Sequence, residues 1–303
     1  MGYGAWEAGG DQWGASISDD GIIAAMHSAF DEGIDWIDTA ETYGHGRSEE
    51  VVGQALRGHE QVMVFTKVAP RPRGSGFSPG SIRTAAESSL RRLGREVIDL
   101  YQLHWPDPTT PLEETWGAMT SLVDDGLVRM IGVSNFTEEL IARCHAIRKV
   151  DALQPQLSML WHERRHLGPF CRVNGIGVIA YGPLAYGLLT GGITLATRFP
   201  DDDWRSGKLG LRAYGQLFAP GRIEPNLEVV EALKPIATRL GISLANLAIA
   251  WVLHQEGVTG AIVGSRSARH VVENARAAAV ELGRGDLEEI EAILERRGEV
   301  VGV

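Results

Sequence analysis

Asp38, Tyr43, Lys67 and His104 offer a carboxylate, a phenol, an ammonium and an imidazole, each at or just past the C-terminal end of an apolar run. The runs are GIDWIDT (33–39), VMVFTK (62–67) and IDLYQLH (98–104); Asp38 and Tyr43 share the first, within DTAETYG. A phenol has an ordinary pKa of about 10, whereas a general acid works best nearer the operating pH. A neighbouring ammonium favours the phenolate and would make Tyr43 a readier proton donor. Asp38 would keep Lys67 charged and oriented, and His104 would hydrogen-bond a carbonyl oxygen and align it. This set suits delivery of a proton to an oxygen as a hydride reaches the adjacent carbon. No side chain donates hydride, so a nicotinamide cofactor must carry it. Taken singly, each residue has an ordinary use: an Asp–Lys pair as structure, a His as a strand cap, a Tyr as packing. The chemistry rests on all four standing together at strand ends.

Residues so far apart in sequence meet if their strand ends open onto one face, as they do in a barrel of parallel strands. The pattern predicts strands at 3–6, 34–38, 62–67, 98–104, 129–135, 152–156, 177–182 and 260–264. Helical periodicity fills 18–32, 48–57, 79–93, 112–125, 137–149, 163–174 and 243–256, with a last pair at 267–279 and 286–297. Eight strands, each followed by a helix, predict a (β/α)8 TIM barrel in one domain spanning 1–303. Ser78-Pro79 and Thr110-Pro111 read as N-cap then first helical residue, and Gly33, Gly94, Gly126 and Gly241 as helix terminators. The irregular, Gly-rich stretch at 183–225 separates strands seven and eight and is expected to cover part of the site, with a further helix at 226–240.

The formal net charge of −10 argues against nucleic acid or an anionic membrane as partner. It also requires that any phosphorylated cofactor meet a local cluster of Arg, Lys or backbone N–H groups. No apolar run is long enough to span a bilayer and no signal-peptide pattern opens the chain. Cys144 and Cys171 lack metal-ligand spacing and read as small apolar residues on helices, which makes a reducing, cytoplasmic setting the default. His162-Glu163-Arg164-Arg165-His166 is a literal H-E-x-x-H, yet its two arginines oppose a cation and no third ligand follows at a recognisable spacing, so no metal is expected.

The chain resembles the aldo-keto reductase family. DTAETYG (38–44), FTK (65–67), LHWPDP (103–108), GVSNF (132–136), QPQLSML (154–160) and AYGPL (180–184) match the family's strand-end motifs. VGSRSARHVVENARAA (263–278) resembles the family's segment for the cofactor's adenosine end. The resemblance implies that Tyr43 is the general acid/base, tuned by Lys67 and Asp38, with His104 orienting the carbonyl. It implies that Ser134, Asn135 and Gln156 hold the nicotinamide carboxamide and that Tyr181 stacks on the ring. Gly182, Leu184 and Gly187 would line the pyrophosphate and ribose. Gly264, Ser265, Arg266 and His270 would surround the 2′-phosphate, and Glu273 and Asn274 would read adenine. Trp6 would border both cofactor and substrate, with Tyr43, His104 and Trp105 as the other substrate walls and residues from 204–222 closing over them. Two arginines, Arg266 and Arg269, near the start of a helix favour NADPH, with NADH possible.

Departures from the family pattern fall mostly around the cofactor. Gly182 stands where Ser is frequent, Gly264 where some relatives carry Lys, and His270 where Gln or Arg is common. The chain as given also starts at the first barrel strand, without the family's usual N-terminal β-hairpin plug. The expected activity is reversible reduction of small aldehydes or ketones to alcohols. Two other readings stay open at this level: a Schiff-base aldolase or lyase using Lys67, and a non-catalytic subunit that senses the cofactor. Substrate identity and oligomeric state are not legible.

Overall fold

The structure is a computed structural model; it describes residues 1–10, 12–14, 18–70, 76–209 and 213–297. Eight strands close into a barrel in chain order: β1 Gly2–Gly4, β2 Trp36–Asp38, β3 Met63–Val68, β4 Ile98–Leu103, β5 Val128–Ser134, β6 Ala152–Gln154, β7 Gly177–Tyr181 and β8 Val258–Gly264. Every pairing is parallel, including the closing pair β1–β8. The eight expected strands are all present; β1, β2 and β6 are three residues long, shorter than the expected 3–6, 34–38 and 152–156. Alternation fixes what faces inward. On β3, Met63, Phe65 and Lys67 point into the barrel while Val64, Thr66 and Val68 point toward the helices, so one strand supplies both the barrel's filling and an ammonium at its mouth.

The barrel interior is graded. Its lower part is apolar, formed by Trp36, Phe65, Leu100, Ala152, Ile179 and Ile262. The Trp36 ring stacks on Phe65 at 4.9 Å and reaches across to β1 and β8. A Cβ on Gly2 would lie 2.2 Å from that ring, so this indole takes the room that a side chain at position 2 would need. Above this layer the inward positions become polar: Asp38, Lys67, Gln102, Ser134 and Gln154 are all buried. A water-excluded apolar floor thus supports a polar ring at the mouth.

Helices α1 Asp19–Asp31, α2 Arg47–Ala55, α3 Pro79–Leu93, α4 Leu112–Asp124, α5 Glu138–Ile147 and α6 Leu167–Val173 follow strands one to six. Between β7 and β8 lie α7 Ile223–Leu240 and α8 Leu244–Leu253; α9 Ala268–Ala275 and α10 Arg284–Arg297 follow β8. Ser78 caps α3 in a capping box with Ser81, as its sequence predicts. At α4 the expectation is corrected by one residue: the helix starts at Leu112, and Pro111 itself holds the cap position without a side-chain bond, because proline has no side-chain acceptor to offer. Gly33, Gly94, Gly126 and Gly241 all take the left-handed conformation at or just beyond a helix end. The irregular stretch is less formless than expected: it carries 3-10 turns at Ala185–Thr190, Trp204–Ser206 and Ala213–Phe218, with 210–212 outside the described residues. No single helix among the described residues is long and apolar enough to cross a membrane.

Candidate active site

At the C-terminal end of the barrel lies a cleft of about 1810 Å³. Beneath its floor, Lys67 is 1% exposed, and its Nζ donates to Asp38 Oδ1 at 2.5 Å and to the Thr39 carbonyl at 2.8 Å. Asp38 also accepts from Gln154 Nε2 at 2.8 Å. Burial pushes the Lys67 ammonium below its ordinary pKa and the Asp38 carboxyl above its own, and each is drawn back by the other. Lys67 Nζ stands 5.3 Å from the centre of the Tyr43 ring. The Tyr43 ring meets His104 edge-on at 5.8 Å, and His104 stacks on Trp105 at 3.7 Å. Asp38, Tyr43 and His104 all line the cleft, so the four residues singled out in the sequence do converge.

Tyr43 is placed by an unusual stretch of backbone. It opens a 3-10 turn, Tyr43–Gly46, in which Gly44 and His45 both take positive φ, 58° and 55°. A Cβ on Gly44 would lie 2.1 Å from the Gly9 carbonyl oxygen, so the loop after β1 presses directly on the residue after Tyr43. That loop brings Trp6, whose ring stacks near Tyr43 at 6.0 Å.

Next to this group is a chain of hydrogen bonds. Tyr181 OH donates to Asn135 Oδ1 at 3.0 Å; Asn135 Nδ2 donates to the His104 carbonyl and to Ser134 Oγ, both at 3.1 Å. Ser134 Oγ donates to the Gln154 carbonyl at 2.8 Å. Asn135 holds this position with φ of 64°, a conformation asparagine tolerates better than most residues. Ser134, Asn135, Tyr181, Gly182, Leu184, Gly187, Gly264, Ser265, Arg266, His270, Glu273 and Asn274 all border the cleft, as do Trp6 and Trp105.

Gln156 is the exception. Its side chain is buried, does not border the cleft, and its Nε2 has no hydrogen-bond partner among the described residues. The residue that borders the cleft is Gln154. The strand end gives the reason: Gln154 pairs with Ser134 and closes β6 on the inward face with Ala152, whereas Gln156, though of the same parity, lies beyond the strand, bridged to Tyr181.

Other bordering residues were not singled out in the sequence, although three of them lie in the stretch 183–225 expected to cover the site. Trp13, Arg205, Tyr186 and Tyr214 reach the cleft from loops. Trp13 and Asp203 form an antiparallel bridge, and Trp204 N donates to the Gln12 carbonyl at 2.9 Å, so the loops after β1 and β7 are pinned together across the mouth. Arg205 pairs with buried Asp203 at 2.6 Å and lies over the Trp13 ring. Arg266 Nη1 donates to the Trp13 carbonyl at 3.2 Å. Trp6, Trp13 and Trp105 border the cleft with Trp204 packed behind them.

The H-E-x-x-H segment forms a 3-10 turn, Glu163–His166, rather than an α-helical face. His162 and His166 each turn Nδ1 to a nearby backbone carbonyl, of Met159 and Glu163. Among the described residues no group of three or more His, Cys, Asp or Glu is disposed to hold a metal ion. Cys144 and Cys171 are buried and unbridged on α5 and α6, and burial pushes their thiols up to about 12 and about 11.

Comparison with known proteins agrees with this geometry. The sequence profile of the aldo/keto reductase family matches residues 1–295. Aldo-keto reductase YhdN of Bacillus subtilis is 36% identical over 304 residues, covering 97% of this chain and 89% of that one. The NADH-specific methylglyoxal reductase of Escherichia coli is 33% identical over 320 residues, covering 98% and 95%. Among solved structures, the glycerol dehydrogenase of Gluconobacter oxydans superposes with a TM-score of 0.86 at 34% identity, covering 98% of this chain and 91% of that one. An aldo-keto reductase from Klebsiella pneumoniae in complex with NADPH gives 0.73 at 30% identity, covering 97% and 90%.

Proposed function

The chain belongs to the aldo/keto reductase family, and from that premise we propose that it reduces small aldehydes or ketones to alcohols, reversibly, with Tyr43 as proton donor. The observation that carries the reading is the convergence of Tyr43, His104 and the buried Lys67–Asp38 pair at the floor of one cleft. A nicotinamide dinucleotide bound there supplies the hydride.

The cleft fits such a cofactor. Tyr181, tethered through its hydroxyl to Asn135, offers a ring on which a nicotinamide can stack. Ser134, Asn135 and Gln154 are the polar groups beside it; Gln154 takes the role that the family resemblance had put on Gln156. Trp13 borders the cleft, and its buried Nε1 has no hydrogen-bond partner among the described residues. Ser265, Arg266 and Ser267 stand at the start of α9, where an anion meets backbone N–H groups and a guanidinium in an otherwise acidic protein. This arrangement favours NADPH. The NADH specificity printed for one relative keeps NADH as the alternative.

The chain's own residues then divide the work. His104 and Tyr43 receive the carbonyl oxygen, and Tyr43 gives it a proton. The Lys67 ammonium stands near that phenol as the charge that eases the proton's departure, while Asp38, Thr39 and Gln154 hold the pair in place. Trp6 and Trp105 wall the substrate side, which suits aldehydes or ketones with flat or apolar substituents. The burial of Lys67 and its bond to Asp38 weigh against a Schiff-base role, which needs an accessible neutral amine.

The test is oxidation of NADPH by purified protein against a panel of aromatic and aliphatic aldehydes, with Tyr43→Phe in parallel. Turnover in the wild type that is lost in a variant still able to bind NADPH supports the reading. A variant that keeps most of the rate sinks the assignment of Tyr43. Cofactor binding without turnover on any carbonyl would favour a sensing role.

A further inference from the structure

One carboxylate in the cleft is used by none of these roles. Glu7 lies in the 3-10 turn Trp6–Gly9 after β1, half-buried and bordering the cleft. Its carboxyl packs on the end of β8: a Cβ on Gly264 would lie 2.5 Å from Glu7 Oε2 and 3.1 Å from Oε1. Gly264 therefore leaves the space that Glu7 fills. A dinucleotide that stacks on Tyr181 and reaches Glu273 and Asn274 must cross the ends of β7 and β8. A pyrophosphate on that path, between Gly182 just after β7 and Gly264 at the end of β8, would lie beside the Glu7 carboxylate.

The surrounding charges do not neutralise Glu7 outright. Arg266, beyond β8, and Arg205, from the loop after β7, both attract it. Arg205, however, is held by Asp203 at 2.6 Å, and Arg266 gives Nη1 to the Trp13 carbonyl. On β1, Tyr3 turns its hydroxyl to the Ser265 carbonyl at 2.5 Å. Arg47 on α2 packs beside Gly10 and pairs with Asp19 of α1, and His45 borders the same cleft. Burial pushes the Glu7 carboxyl above the ordinary carboxylate range, against the pull of a backbone hydrogen bond, Arg266 and Arg205.

We propose that Glu7 sets the protein's affinity for the dinucleotide through a proton: the bound pyrophosphate selects the protonated carboxyl, so binding takes up a proton and weakens as pH rises. This rests on the reading of the cleft as a dinucleotide site. Both NADPH and NADH carry the pyrophosphate, so Glu7 acts on both alike, unlike a residue that meets only the 2′-phosphate.

The experiment titrates NADH into wild type and Glu7→Gln from about pH 6 to about pH 9, read by quenching of tryptophan fluorescence; NADH is chosen because it lacks the 2′-phosphate, whose own pKa is about 6. Wild-type affinity is expected to fall by up to about tenfold per pH unit, the limit for one linked proton. Glu7→Gln is expected to bind more tightly at high pH, with a flatter profile, and to show the same gain with NADPH. Calorimetry of the wild type in two buffers of different ionisation enthalpy reads proton uptake directly and does not depend on the variant folding. A wild type that binds NADH with no proton uptake overturns the proposal, as does a Gln variant that binds both dinucleotides more weakly. In that case the carboxylate accepts hydrogen bonds from the cofactor's hydroxyls. If neither protein binds either dinucleotide, the cofactor reading itself fails and the proposal falls with it.

Discussion

Asp38→Asn keeps the shape of the side chain and removes the charge that faces Lys67. Removing one member of a buried ion pair costs about 3–5 kcal/mol while the other stays charged. The native state has one escape, which is to release the Lys67 proton. From an ordinary pKa of 10.5, that release costs about 5 kcal/mol at pH 7, at about 1.4 kcal/mol per pH unit. At pH 9 the same release costs only about 2 kcal/mol. The loss of stability is thus expected to be about 3–5 kcal/mol at pH 7 and to shrink to about 2 kcal/mol at pH 9. The direction follows from proton counting: once Lys67 is neutral in the folded variant, the unfolded chain binds the extra proton, so stability rises with pH until the ordinary lysine value is reached. Urea unfolding of wild type and variant at both pH values measures the difference. A variant as stable as the wild type at pH 7 would refute the reasoning, because it would mean that the buried pair carries no net charge separation to lose.

Arg266→Ala is expected to weaken NADPH far more than NADH, measured by fluorescence titration; equal weakening would place the 2′-phosphate elsewhere. Trp36→Ala empties the barrel floor and should cost about 3–5 kcal/mol in urea unfolding, while leaving the polar ring and dinucleotide binding largely intact. Gly44→Ala forces a Cβ against the Gly9 carbonyl at positive φ. A cost of about 1–3 kcal/mol is expected, together with a fall in kcat, since Tyr43 is the adjacent residue; an unchanged rate would show that the turn does not position the phenol.

What could be read in the sequence was whatever strand periodicity controls. Asp38, Lys67 and His104 are inward residues at strand ends, so apolar runs and parity were enough to find them. Tyr43 lies beyond its strand and was found through the DTAETYG motif; its placement depends on Gly44 and Gly9, a contact between loops far apart in sequence. Gln154 and Gln156 have the same strand parity, so parity could not choose between them; that Gln154 and not Gln156 borders the cleft depends on β6 ending at Gln154. Glu7 and Trp13 were invisible, and Tyr186, Arg205 and Tyr214 were legible only as part of the stretch expected to cover the site, because the path of a loop is set by tertiary contacts such as the Trp13–Asp203 bridge. The end of β1 at Gly4 likewise depends on its neighbours, because the 3-10 turn at Trp6 forms where that residue packs among Trp13, Trp204 and Tyr43.

The central claim is that the cleft over Tyr43 is where a hydride and a proton meet one carbonyl. Reduction of an aldehyde with dinucleotide deuterated at one or the other C4 position tests it most directly. With Tyr181 stacked on one face of the nicotinamide, as proposed, the account predicts deuterium on the product's carbonyl carbon from one C4 position only, and loss of that transfer in Tyr43→Phe. Label delivered equally from both positions, or undiminished transfer in the variant, would contradict it.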